Sequence, residues 1–130
     1  MIYLDNSAST QIREEVLNVI SHELKYSFAN PSSPYKPARK SRISIDKSRE
    51  TFAEILNCSE NEIIFTSGGT ESDNAAIKGP VQSLKYFGNH IITTAVEHHA
   101  VLHTCLALEK QGFEITYLPT DKYGIVSKES

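Results

Sequence analysis

The residues with the clearest chemical potential are Thr66-Ser67-Gly68-Gly69-Thr70-Glu71-Ser72-Asp73, which lie where a β-type run ends and a helical pattern begins. Two glycines let the backbone come close to a ligand. The first N–H groups of the helix have no partner of their own, and the helix dipole adds partial positive charge. The octet therefore has the makings of an anion seat, in which the Thr70 hydroxyl either caps the helix or binds a phosphate oxygen. Asp73, three residues on, gives a capping-box spacing. The spacing matches neither the dinucleotide G-x-G-x-x-G nor the nucleotide P-loop, so a capped helix with no ligand stands beside the phosphate reading.

Glu97-His98-His99 is the second cluster, between a strand candidate and the next helix. Ligands of open α/β sheets sit beyond the carboxyl ends of strands, so parallel strands would turn this cluster and the glycine turn toward one crevice. An imidazole there can stack on an aromatic ring or move a proton near neutral pH, and His98 is the candidate. The alternative is a surface histidine at a helix start. His99 and His103 share a helix face, but without an H-E-x-x-H run or a matching carboxylate no metal site is expected. Cys105 falls on an apolar stripe and Cys58 at a helix end; both are expected to be structural thiols. The cations Arg39, Lys40, Arg42 and Lys47 to Arg49 read as a solvated helix face.

The elements that must position these groups follow from periodicity. Ile12, Val16, Leu17, Ile20 and Leu24 recur at three- and four-residue steps, predicting a helix over about 11–26 with that stripe buried. Pro31, Pro34 and Pro37 mark a loop, and a second helix is expected near 38–57 with Ile45, Phe52, Ile55 and Leu56 inward. Beyond residue 60 come a strand over 62–66, a helix over 70–86, a strand over 90–94, a helix over 99–111 closed by Gly112, and a strand over 113–118. Leu102, Cys105 and Leu106 are expected inward on that last helix. The grammar is βαβαβ, which favours an α/β sheet. Residues 1–60 form an expected arm with helices and a loop, and 61–130 the sheet-bearing part.

The 130 residues, 39% hydrophobic and 22% charged, suffice for one small domain. Thirteen Lys+Arg against sixteen Asp+Glu give a net charge of -3, which disfavours nucleic acid and anionic membrane as partners. The absence of a leader pattern and of a long apolar run points to a cytoplasmic chain with reduced cysteines. Asp121 to Gly124 reads as a turn, and Ser127 to Ser130 as a helix start with no helix after it. Three strands would leave a sheet edge unpaired and apolar faces uncovered, at about 25 cal/mol per Å2. A piece of something larger is expected.

Taken in order, Tyr3-Leu4-Asp5-Asn6-Ser7-Ala8, Asn30-Pro31-Ser32-Ser33, the stretch from Glu62 to Asn74 with Ala76-Ile77-Lys78-Gly79, and Glu97-His98 with Ala100-Val101-Leu102 resemble the N-terminal part of the cysteine desulfurases. These are the NifS/IscS-like branch of the class V aminotransferase fold and use pyridoxal 5'-phosphate. The resemblance covers essentially the whole chain. It implies a fold type I large domain with a mostly parallel sheet, here incomplete, and assembly as a homodimer. It also implies that Gly69 holds the cofactor phosphate through its backbone and Thr70 also through its hydroxyl. His98 would stack on the pyridine ring and assist proton transfer.

The same resemblance implies the activity: removal of sulfur from L-cysteine to give L-alanine, with the sulfur passed as a persulfide to acceptors such as an iron-sulfur scaffold protein. The family's cofactor-bearing lysine, the aspartate that pairs with the pyridinium nitrogen and the sulfur-accepting cysteine have no counterpart in these 130 residues. Lys78 belongs to the segment after the phosphate turn and is not that lysine. The chain alone is therefore expected to be inactive until the missing portion is supplied. A non-catalytic subunit pairing with a full-length relative, or a relative acting on selenocysteine, are the alternatives. Tyr35 stands where the family usually has histidine, Gln11 where proline is common, and Pro34 with Pro37 alters the loop.

Overall fold

A computed structural model describes residues 2–127 and divides the chain into two compact units, Met1–Ile64 and Phe65–Ser130. The predicted helix start at Ser127–Ser130 falls largely outside the described residues.

The first unit carries α1 (Glu14–Tyr26) and α2 (Lys36–Leu56), followed by a 3-10 turn at Glu60–Glu62. Glu14 and Glu15 in the first turn of α1 and Lys25 in its last complement the helix dipole. Pro37 lies in the first turn of α2, where its missing N–H would have had no acceptor; that helix accordingly opens before the expected Ala38. It closes on Asn57 in the left-handed region at φ 52°, with the Cys58 N–H returning to the Ala53 carbonyl at 3.0 Å. Ser41 Oγ donates to the Ser27 carbonyl at 2.9 Å, fastening α2 to the end of α1. The basic face of α2 is partly neutralised within the helix, since Asp46 accepts from Arg42 Nε at 2.9 Å and from Arg49 at 3.1 Å.

Burial in this unit departs from expectation. Val16, Leu17, Ile20 and Leu24 are exposed, as are Phe52, Ile55 and Leu56, while the buried residues are the small Ala29, Ala38, Ser41 and Ala53. Periodicity identified apolar faces, but the large side chains on them stay exposed among the described residues.

The strand predicted over 62–66 does not form. Ile63 has strand-like angles, φ -90° and ψ 117°, yet its N–H returns to the Glu60 carbonyl at 3.1 Å and Ile64 and Phe65 are exposed. β-branched residues favour the extended backbone, but a strand also needs a neighbouring ladder, which the described residues do not supply. The Ser59–Glu62 capping box takes up the beginning of the run instead: Ser59 N donates to Glu62 Oε2 at 2.8 Å.

The second unit holds α3 (Gly69–Ser83), β1 (His90–Thr94), α4 (His99–Glu109) and β2 (Glu114–Leu118). The strands pair in parallel from His90 with Glu114 to Thr94 with Leu118, making α4 the crossover of one βαβ unit. The architecture is α/β with a short parallel sheet of two strands, where the sequence predicted three in βαβαβ order. Gly112 at φ +91° lets the Phe113 N–H reach back to the Leu108 carbonyl at 3.2 Å, turning the chain from α4 into β2. Ala100, Cys105, Leu108 and Phe113 form the buried core, with Thr104 beside them. Leu106, expected inward, is exposed; Leu108 on the neighbouring stripe takes its place. The turn predicted at 121–124 is present, with Asp121 Oδ1 accepting from the N–H of Tyr123 at 2.8 Å and of Ile125 at 3.0 Å.

Candidate functional site

The glycine turn opens α3, whose N-cap is Gly68 and whose first two residues are Gly69 and Thr70. The predicted cap, Thr70 with Asp73, is not the one used. Glu71 reaches back instead, its Oε2 accepting from Ser67 N at 2.7 Å and Ser67 Oγ at 2.6 Å. With Gly68 at the cap position, Glu71 is the third helical residue, the place from which a carboxylate can fold back over the turn. Thr66 Oγ1 donates to the Gly68 carbonyl at 3.2 Å and lies 2.6 Å from Ser72 Oγ, bracing the other side.

These bonds leave the seat itself open. The first intrahelical bond of the turn runs from Ser72 N to the Gly68 carbonyl at 3.1 Å, so Gly69 and Thr70 N–H have no acceptor within the helix. Among the described residues, the Thr70 hydroxyl has no partner. A Cβ placed at Gly69 would meet no atom of the chain, so the approach to this backbone is clear.

The bonds from Ser67 hold the Glu71 carboxyl below its usual range, the hydroxyl contributing more than the backbone N–H. A carboxylate with a depressed folded-state value stabilises the fold above its unfolded value and loses that contribution as pH falls through the folded one. Acidification is therefore expected to loosen the turn, read as a lower protection factor at the Ser67 amide against its intrinsic exchange rate, while Glu71→Gln should remove that acid-dependent step. An exchange profile unaltered by Glu71→Gln would contradict the assignment.

His98 is the N-cap of α4. Its Nδ1 accepts from the Ala100 N–H at 3.1 Å, so in this geometry the ring proton of the neutral imidazole resides on Nε2, the free edge. Thr94 Oγ1 donates to Glu97 Oε1 at 2.9 Å and ties the preceding loop to the end of β1. The His99 and His103 rings stack with centroids 5.2 Å apart. No group of three or more metal-ligating side chains is present among the described residues.

Thr70 and His98 line one cleft of about 270 Å3, together with Asn74 and Lys78 of α3 and His99, His103 and Thr104 of α4. The lining carries a lysine ammonium and three imidazoles and no carboxylate. Gly69 precedes Thr70 at the helix start and is not itself part of the lining. A larger groove, about 570 Å3, lies at the end of α2, but Glu50, Glu54 and Glu60 line it and disfavour an anion. Free N–H groups at a helix start, an unpartnered hydroxyl, an open backbone approach and a ring within the same carboxylate-free cleft fit a phosphorylated aromatic cofactor.

Asn74 and Thr104 are the site residues that sequence reasoning missed. Asn74 Nδ2 donates to the Thr70 carbonyl at 2.9 Å, and Asn74 Oδ1 accepts from Lys78 Nζ at 2.6 Å and from Thr104 Oγ1 at 2.8 Å. A threonine sharing a helical stripe with Ala100, Val101 and Leu108 was the only local signal. Cys105 is buried, and desolvation, with a smaller push from the Glu97 charge, raises its thiol above the ordinary value.

Comparison with known proteins agrees with this architecture. The family model for aminotransferase class V matches residues 2–130. The chain belongs to the aminotransferase class V family. It is 53% identical to the cysteine desulfurase IscS of Methanosarcina thermophila over 98% of its own length and 32% of that protein's. Against the cysteine desulfurase IscS of Dictyoglomus turgidum the identity is 51%, again over 98% of this chain and 32% of the relative. Among solved structures, a NifS-like protein superposes with a TM-score of 0.87 at 35% identity, covering 95% of this chain and 34% of that one. SspA in complex with cysteine gives 0.83 at 39% identity, covering 94% and 35%. The chain thus spans about a third of the length of the relatives it matches.

Proposed function

We propose that the chain supplies the phosphate-holding part of a pyridoxal phosphate-dependent cysteine desulfurase, and that a protein completed to its relatives' length releases sulfur from L-cysteine. The observation carrying this reading is the shared cleft, which joins the unpartnered Thr70 hydroxyl at a helix start to the free edge of His98 without an intervening carboxylate. Kinship with proteins named as cysteine desulfurases supports the substrate.

In this reading the Gly69 N–H and the Thr70 N–H and hydroxyl hold the phosphate, and the dipole of α3 favours its charge. Bound pyridoxal phosphate supplies an electron sink beside the amino acid's reacting carbon. The His98 ring would lie against a cofactor held there, and its Nε2, the edge left free by the Ala100 bond, would hold or move a proton. Attack of an enzyme thiolate, outside these 130 residues, on the substrate sulfur would form the S–S bond as the carbon–sulfur bond breaks. The carbon keeps that electron pair and takes a proton to give alanine, and the sulfur remains as an enzyme persulfide. A homodimer, a cytoplasmic setting and delivery to a sulfur acceptor such as an iron-sulfur scaffold belong to the same proposal.

Thr70→Ala tests it. In the completed protein the variant should weaken cofactor retention by about 1 to 3 kcal/mol, the worth of a hydrogen bond to a charged group. Equilibrium dialysis against pyridoxal phosphate reads this directly. Retention equal to that of the parent would remove Thr70 from the site.

A further inference from the structure

We propose that Asn74 and Thr104 form a positioning pair that fixes the separation between the Thr70 turn and His98, so that one ligand is gripped at its phosphate and its ring together. This inference rests on the reading of the cleft as a pyridoxal phosphate site.

The geometry sets a line of close polar contacts between one candidate contact and the other, in which the single Thr104 proton is shared between two acceptors. Thr70 gives its carbonyl to Asn74 Nδ2 at 2.9 Å, and Asn74 Oδ1 lies 2.8 Å from Thr104 Oγ1. Thr104 Oγ1 is also 2.8 Å from the Ala100 carbonyl, and the Ala100 N–H donates to His98 Nδ1 at 3.1 Å. Its middle step crosses from α3 to α4, between residues thirty apart in sequence. It is part-buried at that step, Thr104 being only 3% exposed and Asn74 half-buried at the cleft wall. Burial of the hydroxyl lowers the local dielectric and strengthens the bond it makes across the helices.

The chemistry of the partners fixes the orientation of the Asn74 amide. Lys78 Nζ, 2.6 Å from Oδ1, can only donate, and the Thr70 carbonyl can only accept. A flipped amide would set its NH2 against the ammonium and its oxygen against the carbonyl. Both lone pairs of Oδ1 are thereby engaged, one by a charged donor. Thr104 has one proton and two acceptors in reach; a helical threonine ordinarily returns that proton to the carbonyl four residues back. Asn74 offers it an alternative on the neighbouring helix, and a side-chain amide, with both acceptor and donor, serves Thr104, Lys78 and Thr70 at once. Aspartate would lose the donor to Thr70 and add negative charge behind an anion seat.

A double-mutant cycle on the completed protein loaded with pyridoxal phosphate tests the pair. The readouts are the rate of cofactor loss on dilution into cofactor-free buffer and the visible circular dichroism band of the bound cofactor, with thermal melting as the check on folding. Asn74→Ala and Thr104→Val should each speed loss about tenfold and alter the dichroic band. The double variant should be no more than about twofold faster than the faster single, because both break one path. Thr104→Ser, which keeps the hydroxyl, should stay within about threefold of the parent. If Asn74→Ala fails to fold, Asn74→Leu replaces it, keeping the bulk of the side chain and forfeiting donor and acceptor without adding charge. The proposal is overturned if the single effects multiply, if either single loses cofactor at the parent rate, or if Thr104→Ser behaves as Thr104→Val does. Thr70→Ala separates the two layers: parent-like retention there defeats the cofactor reading, whereas loosening there with none at Asn74 defeats this inference alone.

Discussion

Replacing His98 by asparagine in the completed protein is expected to lower kcat for alanine release by about 10²-fold or more, the usual worth of a positioned acid or base. Asparagine is the informative choice because His98 caps α4 in the structure and has a second job only in the proposed reaction. Its Nδ1 caps α4 by accepting from the Ala100 N–H, and a side-chain amide oxygen can cap a helix as well. The variant therefore preserves the local fold while removing the Nε2 edge and the aromatic face. A change confined to melting temperature would reduce His98 to a cap. A large fall in kcat with an intact melt would assign it to the reaction, and steady-state kinetics beside thermal denaturation separate the two.

The 130-residue chain by itself is expected to produce no alanine or sulfide from cysteine above the background of free pyridoxal phosphate. Sulfur transfer needs a nucleophilic thiol at the site, and this chain has two cysteines, neither among the cleft's lining. Cys105 is 1% exposed and its thiol is pushed up by burial, which suits a packed side chain. Cys58 lines the glutamate-rich groove at the end of α2. The lysine in the cleft, Lys78, is engaged by Asn74 Oδ1 at 2.6 Å. Removing the nucleophile eliminates a covalent reaction rather than slowing it. Alanine appearing in proportion to the chain, with the cofactor held constant, would contradict this expectation.

The helices and the two paired strands were legible because each depends on a short-range pattern. The run His90–Thr94 was read with its observed bounds, and α3 and α4 emerged where the 3.6-residue period and Gly112 placed them. Burial was less legible. The stripe on α1 shows which face seeks a partner, but whether it finds one depends on elements that the described residues do not include. The run 62–66 failed as a strand for the same reason, since a ladder has two sides. The placement of Thr70 at one helix start and His98 at the next was readable from residue type and position, and the structure brings both to one cleft. The cap was misassigned by two residues, from Glu71 to Asp73, because the helix starts at Gly69 rather than after Thr70. Asn74 and Thr104 depend on how α3 and α4 pack, a contact that local spacing does not encode.

The most direct measurement is a crystal structure of the completed protein with pyridoxal phosphate bound. The account predicts phosphate oxygens about 3 Å from the Gly69 N–H and the Thr70 hydroxyl, with the His98 imidazole against the pyridine ring. A phosphate seated away from the start of α3, or a His98 ring turned away from the cofactor, would contradict it.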